Sequence, residues 1–100
     1  MTKEELLLGI AHYTQVLHDA MEQEKEFENR PHHLGHLAMA ARMFKILHLG
    51  QPVGDLEQIY RIESKAFSFG QLPGPVAAAT NSAWQKLGPS LRTFIDEGQG

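Results

Sequence analysis

The chain has no cysteine, no surplus of basic charge and no long apolar run, and each absence removes a class of function. With no thiol in 100 residues, disulfide frameworks and thiolate metal centres are excluded, a composition that suits a reducing cytoplasm. Nine Lys+Arg against 12 Asp+Glu give a formal net charge of −3, whereas nucleic-acid binders usually carry a basic surplus to neutralise phosphate. No stretch approaches the roughly 20 apolar residues of a bilayer span. The first five residues, Met-Thr-Lys-Glu-Glu, put acids where a secretory leader needs bases, and the apolar run from Leu6 to Leu8 is too short for its core. The expectation is a cytoplasmic protein with no membrane and no direct nucleic-acid contact.

Catalytic signatures are missing as well. There is no GxGxxG and no P-loop. No nucleophile elbow surrounds Ser64, Ser68, Ser82 or Ser90, and no pair of carboxylates has a separation that spacing fixes. No catalytic residue or cofactor is assigned, and the chain is expected not to be an enzyme. Strand signals are equally scarce, with no apolar–polar alternation and no Asn-Gly or Asp-Gly between apolar runs.

What remains is helical periodicity. The spacing predicts a first helix from Lys3 to Glu28, capped by Thr2 with Glu5 at the capping-box position. Leu6, Ile10, Tyr13, Leu17 and Ala20 form its stripe. Glu24 falls on that stripe one turn later, so dry contact should fade near Met21, and the section around Glu22, Glu24, Glu26 and Glu28 reads as solvated. Pro31 divides this helix from a second over His32–Leu49, and the short link implies an antiparallel hairpin. Gly50 is a left-handed stop. Asp55 is placed to cap a third helix, with Gln58 at the capping-box position; Ile59, Ile62, Ala66 and Phe69 give its stripe, joined by Leu56, Tyr60 and Phe67, and Gly70 ends it. After the stiff corner of Gln71–Pro75 a fourth helix runs from Val76 to Leu87, with Gly88 as its end. Pro89 or Ser90 starts a short fifth helix in which Leu91, Phe94 and Ile95 face inward. The expected fold is all-α, a single small bundle of four to five helices over 1–97, with the first two long helices forming a hairpin and 98–100 a flexible tail.

The second helix is apolar on nearly every side, its long charged side chains from His33 to Leu49 being Arg42 and Lys45 alone. One face holds Leu34, Leu37, Ala41, Phe44 and His48. A second holds Met39, Met43 and Ile46, continued backwards by His36 and His32. Flexible thioethers recur at adaptable protein-binding surfaces, although the same face could equally pack on the third or fourth helix. The first turns of the opening helix (Leu6, Leu7, Leu8, Ile10, Ala11) point in all directions and need more cover than one neighbour gives. The expected partner surface is therefore Leu6, Leu7, Leu8, Ala11, Met39, Met43 and Ile46.

His32, His33 and His36 cluster at the start of the second helix. His32 and His36, four apart, share a face and are the metal candidates, with Met39 and Met43 extending the ridge as thioethers that could suit copper(I). The HHxxH order lacks the Glu of the hydrolase motif, and spacing fixes no third ligand, so no metal is assigned. The plainer reading is a partly exposed helix start whose histidines meet solvent or a partner; at an interface they could make binding pH-sensitive. His12 and His18 read as surface residues, and His48 as a satisfied, partly buried one. A helix-turn-helix over the second and third helices is disfavoured by Asp55, Glu57 and Glu63 on the would-be recognition helix, which phosphate repels.

In size, acidic balance, all-helical pattern and one long Ala/Met-rich helix ending in a Gly-x-Pro turn (Ala38 to Pro52), the chain resembles the small helical antiactivators of quorum sensing, the QslA and TraM type. The resemblance covers about half the chain and includes no diagnostic motif, so it carries over no binding residue. It implies a small dimeric protein that sequesters a larger transcriptional regulator of the LuxR family. The alternatives are a small metal- or ligand-binding protein built on His32 and His36, and a DNA-associated regulator.

Overall fold

The computed structural model describes residues 2–69 and 74–99. In order along the chain it holds α1 (Lys3–Gln23), a 3-10 turn (Phe27–Asn29), α2 (Arg30–Leu49), α3 (Val53–Phe69) and α4 (Pro75–Gln99), with no strand among the described residues. The all-α fold, with α1 and α2 as a hairpin, is the one expected. The Gly70 stop and the corner from Gln71 to Pro73 lie outside the described residues.

Each helix packs on two neighbours. α1 lies between α2 and α4, and α3 closes the ring against both. The four rods form a body of 42 × 22 × 18 Å. Lys3 shares a cleft with Ile46, Leu47 and Phe94, and Gly9 approaches Leu87. Near the other end, Glu24 meets His33, and Gln23 shares a cleft with Pro75 and Val76. α1 is therefore antiparallel to both neighbours, the up-down-up-down arrangement that short connections favour.

The core is one cluster that includes Leu6, Ile10, Tyr13 and Leu17 of α1, Ala40, Met43, Ile46 and Leu47 of α2, Leu56, Ile59 and Phe67 of α3, and Trp84, Leu87, Leu91 and Ile95 of α4. Each large apolar side chain so buried contributes about 1.5–3 kcal/mol. Aromatic rings fill the centre. Trp84 stacks on Phe67 at 5.8 Å, with Tyr13 and Tyr60 at 5.7 and 5.9 Å.

Four boundaries differ from expectation, each for a local reason. α1 starts as read, with Glu5 N–H donating to Thr2 Oγ1 at 3.1 Å, but it ends at Gln23 because Glu24 is extended (φ −71°, ψ 116°). The Glu24 N–H still closes on the Ala20 carbonyl at 2.9 Å. α2 begins at Arg30 with Pro31 in its first turn and stops at Gly50, which adopts φ 68° and donates to Ile46 and Leu47. That left-handed conformation costs a residue without Cβ little. α3 starts at Val53 rather than after a cap at Asp55, because the Asp55 N–H already turns back to the Pro52 carbonyl at 3.1 Å. Most significantly, the fourth and fifth helices are one. Pro89 withholds a single intrahelical donor, yet the buried stripe Thr80, Trp84, Leu87, Leu91 and Ile95 runs past it without a break in phase. Thr93 Oγ1 donates to the Pro89 carbonyl at 3.0 Å. The helix continues through Gly98 to Gln99, so the expected tail is helical up to that residue.

Candidate functional site

Two features stand outside ordinary core packing. The first is a buried polar cluster. Glu63, with 2% of its surface exposed, accepts a hydrogen bond from the Tyr13 hydroxyl at 2.6 Å and lies 2.8 Å from His36 Nδ1. The His36 ring stacks on Phe67 at 4.4 Å. One turn of α2 earlier, His33 is buried and its Nε2 lies 2.8 Å from Glu24 Oε1. That contact holds the Glu24 carboxyl below its ordinary pKa, helped by the Glu26 N–H. Burial, together with the neighbouring Glu63 charge, pushes the Tyr13 phenol above its usual range, so Tyr13 stays protonated and donates its hydrogen bond to Glu63. No buried side-chain N or O among the described residues lacks a partner.

The cluster joins three helices across the bundle, which explains why polar groups persist in this core. Sequence reading missed both acids. Glu24 was placed in a solvated section, yet it is buried as the cap that turns inward. Glu63 sits in the true apolar stripe of α3, Leu56, Ile59, Glu63 and Phe67. Of the apolar residues read for this helix, Leu56, Ile59 and Phe67 are buried while Ile62 is 45% exposed. An acid at the centre of a helical apolar stripe was the signal available, since burying it demands donors from another element. Of the histidines, His32 is exposed, while His33 and His36 each have a carboxylate at one ring nitrogen. Among the described residues no group of three His, Asp or Glu side chains is arranged to hold a metal ion. His48 is exposed rather than partly buried, and stacks on Phe44 at 5.8 Å.

The second feature is the outer side of α2. Met43 and Ile46, expected on the partner surface, are 0% and 6% exposed and belong to the core, with Met39 half-buried against it. Leu6 of α1, expected on the same surface, is core as well. The opposite side of α2 turns outward. Leu34 is 55% exposed, Phe44 45% and Leu49 58%, and Ala38 and Ala41 lie open between them. Periodicity separates two apolar stripes on one helix but does not say which faces inward. Here the polar ridge of His33 and His36 decides, because their partners Glu24 and Glu63 lie inside.

On α1, Leu7 is half-buried and Leu8 and Ala11 are exposed. Glu5, Leu8, Gly9 and His12 border a cleft of about 340 Å³ shared with Ala83, Lys86 and Leu87 of α4. That cleft fixes the α4 side of α1. The stripe Glu4, Leu7, Ala11, His18 and Glu22 therefore lies on its other flank, toward α2. On α2, His33 reaches α1 and His36 reaches α3. The stripe Arg30, Leu34, Leu37, Ala41, Phe44 and His48 thus borders the α1 side. The two stripes form one outer layer, apolar along its middle and charged at its ends.

No protein-family model matches the chain, and no curated protein or solved structure matches it significantly.

Proposed function

We propose that the chain is a non-enzymatic interaction module that sequesters a larger regulatory protein in the cytoplasm, with the outer layer of α1 and α2 as its contact face. The observation that carries this reading is the apolar side of α2 left open to solvent, where Leu34, Phe44 and Leu49 are 55%, 45% and 58% exposed. Contiguous apolar surface of this kind marks interaction sites. Docking that covers the exposed half of Leu34 and of Phe44 yields about 1 kcal/mol for each, so the neighbouring Leu7, Leu37 and alanines are needed to offset association costs. Resemblance to quorum-sensing antiactivators supports a transcriptional regulator as the target. A ligand site on His32 and His36 has less support, because Glu63 already engages His36.

The test uses the full chain as bait in an extract of its native host, beside a Leu34→Glu/Phe44→Glu variant whose far-UV circular dichroism matches the wild type. The expected result is a DNA-binding regulator held by the wild type and lost by the variant, whose operator binding the wild type abolishes in a mobility-shift assay. A regulator held equally by both would refute the surface.

A further inference from the structure

A cavity of about 200 Å³ opens at the end of the bundle where α2 and α4 begin. It is bordered by His33 and His36 of α2, Phe67 of α3, and Ala77, Thr80 and Asn81 of α4. α2 and α4 do not pack on each other, so the cavity occupies the space between them. Helical bundles build their ligand sites in such places, from side chains on facing helices.

The polar atoms on this wall are partly spent, and the remainder share one character. Ionised carboxylates only accept hydrogen bonds. Glu24 therefore takes a ring N–H from His33 Nε2 at 2.8 Å, and Glu63 takes one from His36 Nδ1 at 2.8 Å. In a neutral imidazole the other nitrogen then carries a lone pair. His33 makes no second hydrogen bond. Because no buried side-chain nitrogen or oxygen among the described residues lacks a partner, the 1% of surface that His33 exposes includes Nδ1, and this residue borders the cavity. Half-buried His36 has no partner at Nε2 either. Thr80, itself buried, gives its hydroxyl hydrogen to the Ala77 carbonyl at 2.9 Å, which leaves its oxygen as an acceptor. Asn81 has a partner of its own.

We propose that the cavity binds a small organic cation with several N–H donors, of the amidinium or guanidinium class, held by His33 Nδ1, His36 Nε2 and Thr80 Oγ1. Glu24 and Glu63 stand directly behind the two rings. Their negative field, little screened in the interior, outweighs the roughly half positive charge at the start of α4. A metal ion fits less well. Only two imidazoles present lone pairs, where a metal centre usually takes at least three protein ligands, and no third His, Asp or Glu among the described residues is placed to join them. His32 stands exposed at the border of the cavity. The site is separate from the outer layer of α1 and α2, and it stands whether or not that layer binds a regulator.

Acetamidinium and acetate have the same shape and opposite charge. Both are titrated into the full chain at about pH 8, where an ordinary imidazole is neutral. Long-range proton–nitrogen NMR correlations of the histidine rings report the tautomers and follow both titrations. The expected result is an Nε2–H ring for His33 and an Nδ1–H ring for His36. Acetamidinium should shift His33 Nδ1 and His36 Nε2 saturably in the millimolar range, at least tenfold more tightly than acetate, while the exposed His12 and His48 stay unmoved. Ala77→Leu, which fills the cavity from α4, and Thr80→Val, which removes the hydroxyl at nearly constant shape, should each weaken acetamidinium at least threefold with unchanged far-UV circular dichroism. The opposite tautomers, a preference for acetate, no binding of either probe, or shifts shared by His12 and His48 each overturn the proposal. So do folded Ala77→Leu and Thr80→Val chains that bind acetamidinium as the wild type does.

Discussion

Replacing Glu63 with leucine keeps the volume and removes the one acceptor that serves two helices. The Tyr13 hydroxyl, 2.6 Å from Glu63 in a residue 1% exposed, then has no acceptor and no route to water. Leaving such a group unpaired costs about 1–3 kcal/mol. A charge-assisted bond contributes about 1.5–3 kcal/mol net, and part of the loss is offset because a carboxylate no longer has to be buried. The expected destabilisation by Glu63→Leu is therefore about 2–4 kcal/mol. Tyr13→Phe, which leaves Glu63 with His36 alone, should cost about 1.5–3 kcal/mol. The double variant removes the Tyr13 donor together with its acceptor and leaves only the half-buried His36 without its carboxylate, so it should be more stable than Glu63→Leu by about 1 kcal/mol or more. Urea unfolding at pH 7, followed by circular dichroism, gives the four corners of the cycle. In thermal melts Glu63→Leu should unfold roughly 10–30 °C lower, at about 4–8 °C per kcal/mol. If the two single losses add to within about 0.5 kcal/mol in the double variant, the cluster is not a coupled unit and its structural role is wrong.

Three further outcomes follow from the same geometry. Because the folded-state pKa of Glu24 lies below its ordinary value, the stability it adds is complete above the unfolded-state pKa and disappears as the pH falls through the lower folded one; Glu24→Gln should therefore show a smaller loss between pH 5 and pH 3, as measured by urea midpoints. Met43→Ala, at a fully buried position, should cost about 2–5 kcal/mol, whereas Leu8→Glu and Leu34→Glu should shift stability by no more than about 0.5 kcal/mol; an unfolded Leu34→Glu chain would return that face to the core. Gly35→Ala, where an added Cβ meets nothing within 4 Å, should stabilise by about 1 kcal/mol, and Gly50→Ala, at φ 68°, should destabilise by about 1 kcal/mol; opposite signs in calorimetric midpoints are the check.

The fold was legible because its signals are local. The capping of α1 by Thr2, the placement of Pro31 in the first turn of α2 and the stop at Gly50 each depend on one residue's chemistry, and each appears in the structure. What sequence could not settle was orientation. Both stripes of α2 are apolar, and the choice between them is made by Glu24 and Glu63, which lie nine and twenty-seven positions from the histidines they engage. Pro89 after Gly88 reads locally as a helix boundary. Only the uninterrupted burial of Trp84, Leu87, Leu91 and Ile95 against α1 and α3 overrides it, and that is a tertiary fact. The same holds for the site. Leu8 and Ala11 are open and Leu7 half-open, while Met43 and Ile46 are not, because burial depends on what lies opposite.

The ring assembly at the centre of the bundle has an optical consequence. The chain contains one tryptophan and two tyrosines, and both phenol rings lie within 6 Å of Trp84. Excitation absorbed by either tyrosine should pass to the indole before it can be emitted, so the native protein should fluoresce as though tyrosine were missing. Tyrosine emission should emerge only when α1, α3 and α4 separate, giving a label-free ratio that reports the integrity of the bundle.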